Sequence, residues 1–561
     1  MYFKSPIPDQ PIPALDVATY ILEEGKRQAK KQGSSLSYAL YDEDTSQSLS
    51  IFEFEKLSIK LASGLSHNHQ IKPGDVALIF SSNCINYTIA IFAILMAGSP
   101  MSLANPSFKP QELAIQINDA NPKLIFTKEE FLPTVLQAIE LSNFDFLSTN
   151  IILLDSYSKN THYLSVNQTY SSLEFKRFTI SDLETAKKTV AFLPASSGTT
   201  GFPKGVMLSH HNIVANTIQI SVPSKLNGWF NSSPGIPNRF LAVLPYYHIY
   251  GLVIITCIGL ANNIGIVSLS KFELKKYLET VQKHKITFAH MVPPMIIRLN
   301  DPVVDTYDFS SVKYIMTAAS QLSTEVADKI KKKFGVSIAQ IYGTTETSPA
   351  VTVSDRNSDM LNSKGVLTCN VIAKIIDDSG NLLGPNKAGE MCFKGPNIMN
   401  GYLNNHKATA ETIDSDGFLH TGDIGYIDEN GQLYLIERKK ELIKFKGFQV
   451  APAELESTLL GHPDVFEAIV IGVDNYEQQT EVPKAYISLK SNTANFTGAQ
   501  KNTKALEIMS WFDEKVAPHK KLRGGIVITD EIPKTLSGKL LRRHIREIDS
   551  KSQIKTIKSK I

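Results

Sequence analysis

The chain is 561 residues long, too long for one compact core, so two or more domains are expected. Its composition, 42% hydrophobic and 20% charged with a net charge of +3, is that of an ordinary globular protein and gives no case for a nucleic-acid or membrane-surface partner. Cys84, Cys257, Cys369 and Cys392 lie far apart with no C-x-x-C pair, which argues against a disulfide framework or zinc site and for buried, inert thiols in a reducing compartment.

The first residues, "MYFKSPIPDQPIPALD", place prolines where a secretory signal needs its apolar run, so no signal peptide is expected. "DVALIF" (75–80) reads as a strand and is followed by the helical "CINYTIAIFAILMAG". The most apolar runs, 89–98 and 252–260, fall short of the roughly 20 residues that span a bilayer and predict buried helices. "KLIFT" (123–127), "NIILLD" (150–155), "RFLAVLP" (239–245) and "IGIVSL" (264–269) continue the pattern. Strands separated by helices predict α/β architecture with largely parallel sheets. The polar segment 156–177 reads as a loop or short strands.

Between a strand-like "TVAFLPA" and a helix-like "SHHNIVANTIQI" stands "SSGTTGFPKG" (196–205). Small residues let main-chain N–H groups converge on phosphate oxygens, and the position is one where α/β proteins bind nucleotides. A Walker loop needs G-K-[ST] in succession, whereas Phe202 and Pro203 separate Gly201 from Lys204, so that reading fails.

Near Asp428 the texture changes. A hairpin around Glu429-Asn430-Gly431, a charged crossing and a helix from about Ala453 lead into a small α+β unit. Pro452 suits the first turn of that helix, where its missing N–H costs nothing. The boundary is placed near Arg438, giving units of 1–437 and 438–561. The sequence closes on Ser559, Lys560 and Ile561, one residue from the S-K-L peroxisomal address, so a peroxisomal import receptor is an expected partner and the peroxisome, otherwise the cytoplasm, the expected location.

"SSGTTGFPKG" resembles the signature loop of the adenylate-forming enzymes: acyl-CoA synthetases, firefly luciferases and peptide-synthetase adenylation domains. The 4-coumarate–CoA ligase branch is the most similar. The resemblance runs through "ANPSFKPQEL", "LPYYHIYG", "YGTTET", "GPNIMNGYLNN", "HTGDIGYID", "ERKKELIKFKGFQVAPAELE" and "PKTLSGKLLRR", nearly the whole chain. It implies a large N-terminal domain of two helix-flanked β-sheets plus a distorted β-barrel, and a small mobile α+β C-terminal domain. It also implies ATP, Mg²⁺ and coenzyme A.

By the same resemblance, Ser196, Ser197, Gly198, Thr199, Thr200, Gly201 and Lys204 hold the β- and γ-phosphates. Tyr342 stacks on adenine, with Gly343 and Ala319 beside it. Thr345 contacts phosphate and Glu346 ligates Mg²⁺. Asp423 and Arg438 take the ribose, and Lys440 is the hinge. Lys539 reaches into the site to bridge the carboxylate and the α-phosphate. His248, Tyr250, Pro349 and Ala350 border the acid pocket, while Lys444 and Gly447 belong to the thioester face.

The chain departs from the family at Ala318 and Gln321, where a glycine and a proline are usual, and at Ile341, usually glycine. The acid is left open among aryl-propenoates, other aromatic acids and medium- or long-chain fatty acids, with an aromatic acid first. A luciferase-type monooxygenase and a non-catalytic ATP-binding relative are the contrasting classes. The joint presence of Glu346, Asp423, Arg438 and Lys539 argues against the second. A carrier-loading adenylation domain is disfavoured because no carrier module follows Lys539.

Overall fold

The computed structural model describes residues 1–32, 38–144, 146–156, 162–196, 204–231, 236–318, 322, 324–354, 360, 362–446, 448–475, 480–490, 496–534 and 540–558. Its frame is a pair of large sheets. One has eight strands in the order Gly401–Tyr402, Lys204–Ser209, Val190–Ser196, Met101–Ala104, Ala77–Phe80, Leu124–Thr127, Ile151–Leu153, Leu164–Ser165. From Val190–Ser196 onward neighbours run parallel, and the Lys204–Ser209 and Gly401–Tyr402 strands close the edge antiparallel.

The second sheet has seven strands, with a parallel centre formed by Ser337–Gln340, Tyr314–Thr317, Phe288–His290, Arg239–Ala242 and Gly265–Ser268. Central strands such as Ala77–Phe80 are buried on both faces, which is why their sequences are continuous apolar runs rather than alternating ones. An antiparallel five-stranded sheet, Tyr2–Lys4, Ile372–Ile376, Gly389–Lys394, Leu419–Ile427 and Leu433–Arg438, completes the body.

Helix Ile85–Met96 is buried along all 12 residues. The second apolar run forms an eight-residue π-helix, Tyr250–Cys257, prolonged by Ile258–Ala261. Gly251 is required there, because a Cβ at that position would lie 2.1 Å from the Pro245 carbonyl oxygen. Among the described residues no helix is long and apolar enough to cross a membrane. All four cysteines are buried and unbridged. The 156–177 segment holds a two-residue strand and the one-turn helix Val166–Thr169, capped by Ser165.

The body's apolar core ends at Leu433, and a separate core, from Ile443 to Ile528, belongs to the C-terminal unit. That unit comprises the hairpin Ile443–Phe445/Phe448–Val450, the three strands Val465–Asn475, Thr480–Leu489 and Ile526–Ile528, and helices Pro452–Leu460, Gly498–Asp513 and Arg542–Lys558. Pro452 sits in the first turn of its helix.

Candidate active site

Ser196 ends one strand, Lys204 begins the next, and the two residues face each other across an antiparallel ladder. The strands on either side of the glycine-rich segment are therefore antiparallel neighbours. The sequence reading led from the loop directly into a helix, but a strand intervenes because Val206 and Leu208 alternate into the core. The helix begins at His210, where Ser209 accepts from the Asn212 N–H (3.1 Å) and donates its own N–H to the Asn212 side chain (2.9 Å). Ser197, Gly198, Thr199, Thr200 and Gly201 lie outside the described residues.

Lys204 projects its ammonium over the ring of Tyr402, 4.9 Å from the centroid, and the Tyr402 hydroxyl donates to Glu346 Oε1 at 2.9 Å. Thr345 and Glu346 belong to the single 3₁₀ turn Thr345–Thr347, whose entry is fixed by the Thr344 N–H donating to Thr347 Oγ1 (2.9 Å). The turn packs so tightly that a Cβ on Gly343 would come 1.7 Å from the Pro349 carbonyl oxygen. A cation, a phenol and a part-buried carboxylate are thus gathered at the start of the strand Lys204–Ser209. A single part-buried carboxylate is a donor set that suits Mg²⁺, which takes few protein ligands.

Tyr342 is 6% exposed and its hydroxyl donates to Asp423 Oδ2 at 2.7 Å. Asp423 Oδ1 lies 3.0 Å from Arg438 Nε, and the two residues are direct cross-strand partners in the five-stranded sheet. Burial and the Asp423 charge both push the Tyr342 phenol well above its ordinary range, so it remains a donor. Burial disfavours the Arg438 charge, but Asp423 together with Tyr342, Glu346 and Glu441 more than offsets it and raises the guanidinium.

These groups wall a cavity of about 250 Å³ between the body and the C-terminal unit. Tyr342, Gly343, Ile341, Asp423 and Arg438 line it from one side, Lys534 and Leu540 from the other. Lys539 and Ala319 fall outside the described residues, although Lys534 and Leu540 flank the first and Ala318 adjoins the second. Thr317 also lines the cavity, and its buried hydroxyl has no hydrogen-bond partner among the described residues.

Four expected acid-pocket residues do not line this cavity. The Tyr250 hydroxyl shares a hydrogen bond with His290 Nδ1 (2.9 Å), and His248 Nδ1 accepts the Tyr250 N–H (3.2 Å). Burial holds His290 neutral, far below the ordinary histidine value. Ala350 is fixed by its carbonyl accepting from Asn216 Nδ2 (2.7 Å), and the carbonyl of its neighbour Pro349 accepts from the Thr347 hydroxyl. Lys440 is exposed in the turn after Arg438, and Lys444 is exposed on its hairpin strand, its N–H bonded to Glu481 (2.7 Å). Gly447 is not among the described residues.

Several residues of the site carried no assignment in the sequence. Tyr402 lay inside a quoted match, and its spacing from Glu346 is visible only in three dimensions. Glu437 and Arg542 lie inside quoted matches without a role of their own, yet Glu437 is 7% exposed and accepts from the Arg438 N–H (2.8 Å) and the Ala453 N–H (2.9 Å). Lys364 and Gln340 line the cavity without any motif to mark them.

The chain matches the family model for AMP-binding enzyme over residues 26–403 and that for the AMP-binding enzyme C-terminal domain over 454–539. It is 38% identical to a probable 4-coumarate–CoA ligase of Dictyostelium discoideum, covering 87% of this chain and 88% of that one. It is 35% identical to a 4-coumarate–CoA ligase of Vanilla planifolia, covering 97% and 95%. Among solved structures, o-succinylbenzoate CoA synthetase of Bacillus subtilis with its acyl-adenylate superposes with a TM-score of 0.75 at 26% identity, over 93% of this chain and 97% of that one. An anthranilate CoA ligase with anthranoyl-AMP shares the fold, with a TM-score of 0.83 at 21% identity over 97% and 99%.

Proposed function

The chain belongs to the AMP-binding enzyme family and is an ATP-dependent acid–CoA ligase; we propose that its acid is aromatic, of the 4-coumarate kind, and that the residues around the inter-unit cavity carry both half-reactions. The observation that carries this reading is the cavity itself. Its body side presents the Tyr342–Asp423–Arg438 chain, and its other side presents the residues that flank Lys539.

In the first half, a carboxylate oxygen bonds to the α-phosphorus of ATP, the bond to the β-phosphate oxygen breaks, and pyrophosphate leaves. An anion approaches a polyanion, so the site's task is to position reactants and supply positive charge. In the proposed arrangement Tyr342 stacks against the base, while Asp423 and Arg438 exchange part of their mutual contact for the ribose hydroxyls. Lys204, Thr345 and the main-chain amides of 197–201 hold the leaving pyrophosphate. Glu346 would hold Mg²⁺, which when bound neutralises phosphate charge. Lys539 bridges the acid and the α-phosphate as negative charge develops.

In the second half, the coenzyme A thiol loses its proton, sulfur bonds to the acyl carbon, and AMP departs. We assign the domain boundary near Arg438 and the hinge to Lys440. Turning there withdraws Lys539 and brings the hairpin face carrying Lys444 and Gly447 toward the acyl-adenylate. His248, Tyr250, Pro349 and Ala350 are proposed to border the acid, and Ile341 narrows its entrance relative to a glycine.

A medium- or long-chain fatty acid is the second reading, favoured by the terminal Ser559-Lys560-Ile561, through which an import receptor would carry the enzyme into peroxisomes. A fluorescent fusion that stays in the cytosol with and without the tripeptide would remove the import proposal. Pyrophosphate release over a panel of aromatic and fatty acids, with and without coenzyme A, tests the substrate. Release with cinnamate-type acids at least ten-fold above octanoate and palmitate is expected; the reverse order overturns the aromatic assignment.

A further inference from the structure

Among the described residues, four cations line the cavity: Lys364, Arg438, Lys534 and Arg542. Arg438 faces Asp423, Lys534 faces Glu467 and Arg542 faces Glu456. Lys364 alone of the four has no carboxylate partner among the described residues: its ammonium donates to Gln340 Oε1 at 2.6 Å. It is 4% exposed, and burial pushes it down to about 8, with no carboxylate among the described residues to hold it up. A buried ammonium whose acceptor is a carboxamide is costly unless something else in the cavity accepts from it.

Its position says what that something is. Gln340 ends the strand Ser337–Gln340 two residues before Tyr342, the proposed partner of the base, which puts Lys364 at the base end of the proposed nucleotide site; neither Lys204 nor Glu346 lines this cavity. A glutamine side chain reads adenine by accepting from the 6-amino group and donating to N7. Here Gln340 Oε1 already accepts from Lys364 and, more weakly, from the Leu322 N–H (3.4 Å), which engages both lone pairs. Lysine, with N–H donors only, matches the O6 and N7 acceptors of a 6-oxo purine.

We propose that Lys364 widens the nucleotide choice of this ligase, so that 6-oxo purine triphosphates, of which inosine triphosphate is the simplest, serve beside ATP. The chemistry is unchanged. The carboxylate oxygen bonds to the α-phosphorus, pyrophosphate leaves with the broken bridging bond, and an acyl-inosinylate forms. The coenzyme A thiol then takes the acyl group and releases its proton and inosine monophosphate. The inference rests on the reading of this cavity as the nucleotide site.

The test is pyrophosphate release with ATP and with inosine triphosphate, using the best acid of the panel, on the wild type, Lys364→Met, Lys364→Arg and Tyr342→Ala. The wild type is expected to use inosine triphosphate with kcat/KM within about ten-fold of ATP. Lys364→Met releases Gln340 to read adenine, and the inosine-to-adenine ratio falls roughly ten- to hundred-fold. Lys364→Arg keeps the wild-type ratio. Wild-type use of inosine triphosphate below a thousandth of ATP overturns the proposal, and this holds even if no Lys364 variant folds. A folded Lys364→Met whose ratio is unchanged overturns it too, since a merely structural lysine lowers both nucleotides together. Tyr342→Ala separates the two layers: if KM for both nucleotides is unmoved, the base binds elsewhere and the nucleotide reading fails.

Discussion

The body and the C-terminal unit each have an apolar core, but they use helices and charges differently. In the body, Ile85–Met96 carries no charge and is buried along its whole length. In the C-terminal unit, the longer helix Gly498–Asp513 buries only Ile508 and Phe512, and beside the unit's apolar core stands a cluster of ion pairs. Glu456, buried beneath Arg542, accepts two hydrogen bonds from it (2.8 and 2.7 Å) and one from the Val470 N–H (2.8 Å). Arg542 also comes within 3.8 Å of Glu437, and Arg546 reaches Glu441 at 2.6 Å. These charges form the unit's ionic seat: Arg542–Glu437 alone among them crosses the 437/438 boundary, and the other pairs tie the C-terminal unit to itself.

The sharpest way to break this contrast lies in the chemistry. Lys539→Ala should lower adenylation on the order of 10³-fold or more, yet spare thioester formation from a supplied acyl-adenylate. Equal loss of both half-reactions would show that the moving unit does not deliver its lysine to one step alone.

Next in size is the ionic seat. Arg542→Ala leaves Glu456 buried and uncompensated, and should destabilise the small unit by about 3–5 kcal/mol. The double variant Glu456→Leu/Arg542→Met should recover most of it. Hydrogen exchange resolved by segment is the measurement, with protection in Ile85–Met96 unchanged in both variants. Lys440→Pro should leave adenylation intact and slow the second step on the order of a hundred-fold, as misplacing reactants does. A single-turnover experiment giving an unimpaired second step would remove the hinge assignment.

Smaller effects probe the body. The His420 ring, 3.7 Å from Glu390, and Lys439 hold the Glu390 carboxyl down to about 2, below its ordinary 4.5. A depressed carboxylate contributes stability that is present above pH 4.5 and lost as pH falls through about 2. Because Glu390 is near the surface, the contribution is on the order of 1 kcal/mol after screening. Thermal melts of Glu390→Gln should be flatter than wild type across that window; parallel curves would exclude the assignment. Smallest is Tyr402→Phe, which removes the bond to Glu346 but keeps the ring under Lys204. KM for ATP should rise a few-fold, about 1 kcal/mol, with the melting temperature unmoved.

The parts of the molecule legible in the sequence were those with a local signature. Apolar runs marked the central strands, and Pro452 and the Asp428 turn marked the helix entry and hairpin where they occur. Asp423 and Arg438 were found because each sits in a motif, but nothing local says that they are opposite members of one ladder. The strand Lys204–Ser209 was missed because glycine and polar residues at its start masked the two-residue period that Val206 and Leu208 carry. Glu437, Lys364 and Arg542 were illegible for a more general reason. A charged residue is buried only when a partner arrives from elsewhere in the chain, and the partner of Lys364 is 24 residues away in the sequence.

The ladder that pairs Asp423 with Arg438 has one more property. The next rung outward is a main-chain bond from the Lys439 N–H to the Gly422 carbonyl (2.8 Å), and Lys440 follows immediately. From the arginine to the proposed joint is two residues, ~7 Å of extended chain. If Arg438 holds the ribose and Lys440 is the pivot, as proposed, a ligand that draws Arg438 from Asp423 would act on the strand that leads into the pivot, and departure of the product nucleotide would be coupled there to resetting of the unit.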